Sequence, residues 1–260
     1  MAAMQTGKLL LTASMLGLAV SLPAGCGSGG SAGGSTSQGP GMQIASGAGP
    51  NGPARISAGD FSATVDNPYY PLKPGTTYRY RGEKDGKPTI DVYAVSHETK
   101  TIEGVPCVAV KDNLYEAGKL EEQTTDWYTQ DSSGNVWYFG EATRELNAQG
   151  KTTTTEGSWQ SGVDGARPGI FMPADPRPGQ SFRQEYYKGQ AEDQFTVLDS
   201  SSAVTVPAGT YRPALLTEET TPLEPGVVDH KYYARGVGNV KEVTAKGPRE
   251  LAALASVTGL

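Results

Sequence analysis

From about residue 60 onward, apolar positions tend to recur every second residue. Tyr78-Arg79-Tyr80-Arg81, Ile90-Asp91-Val92-Tyr93-Ala94 and Val136-Trp137-Tyr138-Phe139 mark the runs. Successive side chains of a strand point to opposite faces, so alternation predicts strands with one face covered. Thr, Val, Tyr and Trp fill these runs, and Gly, Pro, Asn and Asp recur between them, the composition of antiparallel strands and their turns. Asp131-Ser132-Ser133-Gly134-Asn135, set between Trp127-Tyr128 and Trp137-Tyr138, predicts a hairpin turn. Helical periodicity is scarce throughout this region.

The strand pattern repeats. Pro74-Gly75-Thr76-Thr77-Tyr78-Arg79 matches Pro178-Gly179-Gln180-Ser181-Phe182-Arg183, and Ile90-Asp91-Val92-Tyr93 falls near Phe195-Thr196-Val197-Leu198. Val105-Pro106 finds Val206-Pro207, Asp126-Trp127-Tyr128 falls opposite Lys231-Tyr232-Tyr233, and Gly134-Asn135-Val136 matches Gly238-Asn239-Val240. The order is constant and the offset stays near 104 residues, which predicts an internal duplication. The expected fold is all-β: two tandem antiparallel units of about five strands each. Each sheet must bury an apolar face, so the units are expected to pack as a sandwich or a partly open barrel. The first unit is placed at 60–142 and the second at 178–260. Residues 143–177 are read as a connecting loop that covers one edge of the sheet, with a lid over a ligand pocket as the alternative.

The front of the chain has a different pattern. Lys8 precedes an apolar run from Leu9 to Val20, which ends in Leu22-Pro23-Ala24-Gly25-Cys26. This is the layout of a secretory signal over 1–25, and its end resembles the lipobox of bacterial lipoproteins. Pro23 stands where a lipobox usually carries Leu, Val or Ile. The resemblance implies acylation of Cys26, with a palmitate-type lipid holding the protein to a membrane. Residues 26–59, rich in Gly, Ser and Pro, are expected to form a flexible tether. The implied location is exported and lipid-anchored to the cell membrane or outer membrane, facing the periplasm or the outside.

Charge narrows the partners. The chain carries a net charge of -6, and loss of Lys8 with the signal moves it to about -7. An acidic domain with no long Lys/Arg cluster is a poor match for a nucleic-acid backbone. Two cysteines are present. Once Cys26 is acylated, Cys107 has no disulfide partner, and its run Val105-Pro106-Cys107-Val108 predicts a small buried hydrophobe.

No catalytic constellation stands out. There is no Gly-x-Ser-x-Gly elbow, no zinc spacing and no phosphate loop. No metal site and no cofactor are expected. Asp131-x-Ser133-x-Asn135 lacks the glycine and glutamate that a calcium loop needs. His97 lies in a polar turn. His230 begins the strongest block of the second unit and is the better ligand candidate. Carboxylates beside aromatics are what a glycan cleft would use, which singles out Asp126, Glu141 and Glu185 as a possible hydrolytic set. Trp127, Tyr128, Trp137 and Tyr138, with Tyr232 and Tyr233, could form a stacking platform. The candidate ligand-binding residues are therefore Trp127, Tyr128, Trp137, Glu141, Trp159, Glu185, Tyr187, His230 and Tyr232.

Two blocks, Asp66-Asn67-Pro68-Tyr69-Tyr70-Pro71-Leu72-Lys73-Pro74-Gly75-Thr76 and His230-Lys231-Tyr232-Tyr233-Ala234-Arg235-Gly236-Val237-Gly238-Asn239-Val240-Lys241-Glu242, resemble a family of uncharacterised secreted bacterial lipoproteins. The resemblance covers about residues 60–245 and implies no mechanism. More loosely, Val206-Pro207-Ala208-Gly209-Thr210-Tyr211 resembles periplasmic β-domain lipoproteins with half-barrel sheets. The sequence therefore favours a non-enzymatic binding or structural module outside the cytoplasm, whose partner is a protein, glycan or small molecule. An extracytoplasmic hydrolase and a carrier of an apolar ligand are the alternatives.

Overall fold

The computed structural model describes residues 57–259. Cys26, the signal segment and all but the end of the expected tether lie outside the described residues. The described chain is all-β, as its alternation predicted. A 3-10 turn (Ala58–Asp60) and β1 (Phe61–Ser62) lead into five long strands: β2 (Thr77–Lys84), β3 (Lys87–Ile102), β4 (Val105–Glu116), β5 (Lys119–Asp131) and β6 (Val136–Leu146). Five short strands follow: β7 (Thr152–Thr154), β8 (Trp159–Gln160), β9 (Arg167–Met172), β10 (Ser181–Arg183) and β11 (Glu185–Tyr186). Another five complete the chain: β12 (Gln194–Val206), β13 (Gly209–Thr220), β14 (Val228–Ala234), β15 (Gly238–Lys246) and β16 (Glu250–Thr258).

All of these strands join one antiparallel sheet. Its order is β10-β12-β13-β14-β15-β16-β2-β3-β4-β5-β6-β9-β11. The two ends of that order are neighbours in the chain. Ser181–Arg183 pairs with β12, and the next residues, Glu185 and Tyr186, pair with β9. The wall thus curls until both edges meet in one stretch of backbone, which removes the exposed edges of an open sheet. Gly169 makes the junction possible. A Cβ there would lie 2.2 Å from the Arg183 carbonyl oxygen and 2.5 Å from the Gln184 carbonyl carbon.

The stretch expected to be a connecting loop is part of this wall. β7 and β8 pair with β6, and β9 bridges β6 and β11. Strands of two to six residues are too short to display a period, which is why residues 143–177 look irregular in the sequence. The two Pro-Gly turns are built alike. Gly75 (φ 90°) donates to Val95 O at 2.8 Å while Val95 donates to Thr76 O at 2.9 Å. Gly179 (φ 88°) donates to Val197 O at 2.8 Å while Val197 donates to Gln180 O at 2.8 Å. The Asp131–Asn135 turn forms as expected, with Asp131 N donating to Asn135 O at 2.9 Å. Its carboxylate accepts from Ser133 N, Asn135 N and the Trp137 indole at 2.8–2.9 Å, a structural use that accounts for the alternating oxygen ligands.

Register separates the inner face of the wall from the outer. On β5 the inward positions are Glu122, Thr124, Asp126 and Tyr128, and their partners on β4 are Leu114, Asp112, Val110 and Val108. At one end the interior is apolar and aromatic. Segment Val65–Leu72 plugs it, with Tyr70 at its tip. The Tyr70 ring meets Phe171 at 4.5 Å, Tyr128 at 5.4 Å and Tyr233 at 6.5 Å, and its hydroxyl hydrogen-bonds that of Tyr93. The two sequence blocks meet here: Gly236 N donates to Pro68 O at 2.7 Å and the Arg235 guanidinium lies 4.6 Å from the Tyr69 ring. One continuous core takes in residues from Val65 to Leu254.

Asn67 fixes the plug to the wall. Its amide donates to Gly134 O at 2.9 Å and Pro173 O at 3.1 Å, and its Oδ1 accepts from Tyr69 N at 2.9 Å. Asn67→Ala would leave buried backbone groups unpaired, and we expect a loss of about 2–3 kcal/mol in urea unfolding. A second apolar cluster lies on the outer face. Ile102, Val105, Cys107, Ala109, Trp127, Trp137 and Phe139 pack there beneath Ala58 and Phe61. Burial pushes the Cys107 thiol up to about 12, so it is held as an inert hydrophobe, as its sequence context predicted.

Candidate functional site

Beyond the aromatic layer the interior changes character. Eleven carboxyl side chains are buried: Asp91, Asp112, Glu122, Asp126, Glu141, Glu185, Asp193, Glu219, Asp229, Glu242 and Glu250. Two ammonium groups accompany them, Lys84 and Lys231. Many of these groups lie within electrostatic reach of one another across the interior. Asp91 on β3 feels Glu242 on β15, Glu141 on β6 feels Asp193 beside β12, and Asp193 feels Lys231 on β14. The strands place them by simple alternation. Asp126 and Glu141 are cross-strand partners, as are Lys231 and Glu242, and Thr217 and Lys231.

The acids cannot all be charged in such a space. Burial, followed by the neighbouring Asp112, holds Asp126 well above the usual carboxylate range. Burial first, then Asp126 and Glu122, does the same to Glu141. Glu185 is raised by burial, then by Asp193 and Glu141, against a smaller opposing pull from the Trp159 indole. Asp193 and Glu242 are likewise raised by burial above all, and burial pushes Glu250 up to about 8. Asp91 and Asp112 form a carboxyl–carboxylate pair. Both are raised by burial, and the hydrogen bond between them adds to the rise at Asp91 and offsets part of it at Asp112.

Lys231 behaves differently. Burial works against its charge, but Glu219 and Glu242 together more than offset that and hold it well above an ordinary lysine. Its ammonium lies 2.7 Å from Glu219 Oε2 and 3.5 Å from Glu242 Oε2. Lys84 meets Glu250 at 3.7 Å. Between the carboxyl and aromatic layers, the Tyr138 hydroxyl donates to Asp126 at 2.6 Å and Tyr138 stacks on Tyr128 at 4.8 Å. Some polar groups facing this space have no hydrogen-bond partner, among them the Thr217 hydroxyl and Gln184 Oε1, both in residues with no exposed surface.

The nine candidate ligand residues divide between the two faces. Tyr128, Glu141, Trp159 and Glu185 come together inside. Trp159 lies opposite Glu141 in the β6–β8 register, with its ring edge-on to Tyr138 at 5.4 Å. The others do not join them. Trp127 and Trp137 belong to the outer cluster, with the Lys100 ammonium 3.5 Å above the Trp127 ring. His230 is on the outer face, half-buried, 3.6 Å from Glu218. Tyr232 lies beneath Lys241 at 5.7 Å, and Tyr187 bridges to Ala191 in the β11–β12 connection; both are only partly buried, at the margin of the main core. Asp126 joins Glu141 and Glu185 inside as the cross-strand partner of Glu141, and Glu185 is raised by Glu141 in turn. The sequence reading missed Asp91, Asp112, Glu122, Thr217, Glu219, Lys231 and Glu242. At Asp91 the signal was alternation with apolar neighbours, Ile90 and Val92; Asp112 and Glu122 sit between polar residues that hide it.

A polar groove of about 530 Å³ lies on the outer face, lined by Lys111, Asn113, Gln123, Arg144, Thr155 and Ser158 among others. Several of these side chains are already used on one another. Gln123 donates to Asn113 at 2.7 Å, and Arg144 donates to Gln123. The interior therefore holds the stronger concentration of unused chemistry. Among the described residues no group of His, Cys, Asp and Glu has the geometry to hold a metal ion, and no helix is long and apolar enough to cross a membrane.

No protein-family model matches the chain, and no curated protein matches it. Two solved structures are similar to it. One is a candidate exported protein with a YmcC-like fold from Bacteroides fragilis, 16% identical, with 74% of this chain and 99% of that chain covered and a TM-score of 0.42. The other is a candidate lipoprotein from Parabacteroides distasonis, 11% identical, with 73% of this chain and 98% of that chain covered and a TM-score of 0.39.

Proposed function

We propose that the protein is a lipid-anchored, extracytoplasmic binding module whose ligand site is the interior of its barrel. One observation carries this reading. The wall closes on itself, a plug seals the aromatic end, and the remaining interior presents eleven carboxyls against two ammoniums. A lumen built only for stability would be filled with apolar side chains, because each buried acid costs free energy unless something pairs with it. The similar hydrogen bonding at Gly75 and Gly179 supports reading the wall as two tandem copies of one unit, 60–142 and 178–260, joined by 143–177.

The hydrolase reading is weaker on electrostatic grounds. An acid–base pair needs one carboxyl kept protonated and one kept ionised. Asp126, Glu141 and Glu185 are all raised together by burial, so nothing divides them into acid and base. The apolar-carrier reading fits the aromatic layer but not the carboxyls beyond it.

Two measurements test the proposal. Protein extracted from cell envelopes without denaturation is expected to carry a bound small molecule in native mass spectrometry. Thr217→Leu, or Ala252→Leu at the buried cross-strand partner of Glu242 where the first fails to fold, is expected to lose it, and an empty parent protein would overturn the site. The anchor is tested by Cys26→Ser. The parent protein is expected in the detergent phase on Triton X-114 partition and the variant in the aqueous phase; equal partition would remove the lipid.

A further inference from the structure

The contact between Lys231 and Glu219 differs from an ordinary ion pair of the wall. Lys87 meets Glu116 at a similar 2.6 Å, but the lysine side chain there is 55% exposed and water competes for both groups. The Lys231 and Glu219 side chains are only 2% and 8% exposed, with Nζ 2.7 Å from Oε2. The second oxygen of the same carboxyl, Oε1, accepts from two donors, the Tyr233 hydroxyl at 3.4 Å and the Gln184 amide at 3.5 Å. From β15, the other neighbour of β14, Glu242 Oε2 comes within 3.5 Å of Nζ and makes no hydrogen bond of its own.

Each of these positions matches a role in amide formation. A nucleophile lies against a carboxyl group. Two donors hold the oxygen on which charge gathers when the carbon is attacked, as an oxyanion hole does. A carboxylate oxygen with no other partner is in reach of the nucleophile as a base. We propose that Lys231 and Glu219 join in an intramolecular amide bond made by the fold itself, with Glu242 as the base and with Gln184 and Tyr233 as donors to the carbonyl oxygen. The bond is independent of any ligand in the lumen.

The step balances without a co-reactant. One proton of the Lys231 ammonium passes to Glu219 Oε2 along their hydrogen bond, leaving a neutral amine beside a neutral acid. The Nζ lone pair attacks the Glu219 carboxyl carbon, and the negative charge moves to Oε1. The nitrogen gives a second proton to Glu242, which passes it to Oε2. The bond from carbon to Oε2 breaks, Oε2 leaves as water, and the third proton stays on the amide nitrogen. Groups held side by side in this way react as if at an effective concentration that reaches on the order of 10⁵–10⁸ M in well-oriented cases. Burial also favours the exchange of two charges for one neutral amide. Burial opposes the charge on Lys231, but Glu219 and Glu242 outweigh it. The neutral amine is therefore a minor form, and the bond forms slowly, after folding.

Mass spectrometry of the full chain tests the bond. The purified protein is denatured, weighed intact at intervals after synthesis, and mapped after proteolysis. Lys231→Met shares every other modification of the chain and supplies the reference mass. We expect the parent protein to be lighter than that reference predicts by one water, and its map to contain a joined pair of peptides carrying Lys231 and Glu219. Glu242→Gln keeps both reacting groups and the shape of the side chain. It is expected to form the bond at least tenfold more slowly, whereas a merely structural role for Glu242 would leave the rate unchanged and remove it as the base. A folded parent protein whose map shows Lys231 and Glu219 in separate, unmodified peptides overturns the proposal, and that result needs no variant to fold.

Discussion

The melting temperature is expected to fall as pH rises from about 5 to 8.5. Most soluble proteins gain stability over the acid part of that range as paired carboxylates ionise. Here burial raises Asp126, Glu141, Glu185 and Asp193 well above the ordinary carboxyl range in the fold. In the unfolded chain they titrate at ordinary values. Between the two the folded state binds more protons than the unfolded state, so unfolding free energy decreases with pH. Glu250 gives the scale. It moves from 4.5 to about 8, which corresponds to roughly 4–5 kcal/mol present below pH 4.5 and lost by pH 8 and above. For a fold of this size that is on the order of 10 °C in melting temperature. Glu250→Gln should flatten the profile by about that amount. A variant with the slope of the parent protein would show that Glu250 is ionised in the fold.

The second large effect belongs to the plug. Tyr70 is buried and touches Tyr128 and Phe171 in the wall before the closing segment and Tyr233 in the wall after it. Tyr70→Ala removes a ring from the place where β5, β9 and β14 meet, and we expect a loss of about 3–5 kcal/mol in urea denaturation. Tyr70→Phe keeps the packing and removes only the hydroxyl partner of Tyr93, so about 1–2 kcal/mol is expected. A negligible effect of Tyr70→Ala would mean that the segment Val65–Leu72 lies on the barrel without holding it together.

The fold was far more legible in the sequence than the site, for a physical reason. Tyr78 and Tyr80 alternate with arginines, and both tyrosines point inward, as an ordinary half-buried strand would have it. The same rule misleads at Ile90-Asp91-Val92-Tyr93. Asp91 and Tyr93 face inward there, while Ile90 and Val92 stay on the outer side, half-exposed. Asp112, Glu122 and Glu242 similarly look like solvent-facing residues until closure of the wall turns them into lining. Asp126, Glu141 and Glu185 attracted notice only because aromatic residues flank them. His230 and Tyr232 stand in a strong block, yet register sends them outward and sends Lys231 and Tyr233 in. One residue of register decides which of two neighbours lines the lumen, and no local pattern announces that choice when the lining is acidic.

The central claim is that the closed wall seals a set of neutral carboxyls. Potentiometric titration of the folded and the denatured chain over the same pH range tests it most directly. The account predicts that near pH 7 the folded protein holds roughly three or more protons beyond the denatured one, and that the two curves converge below the ordinary carboxyl range. Curves that coincide at pH 7, or a folded protein that holds fewer protons, would contradict it.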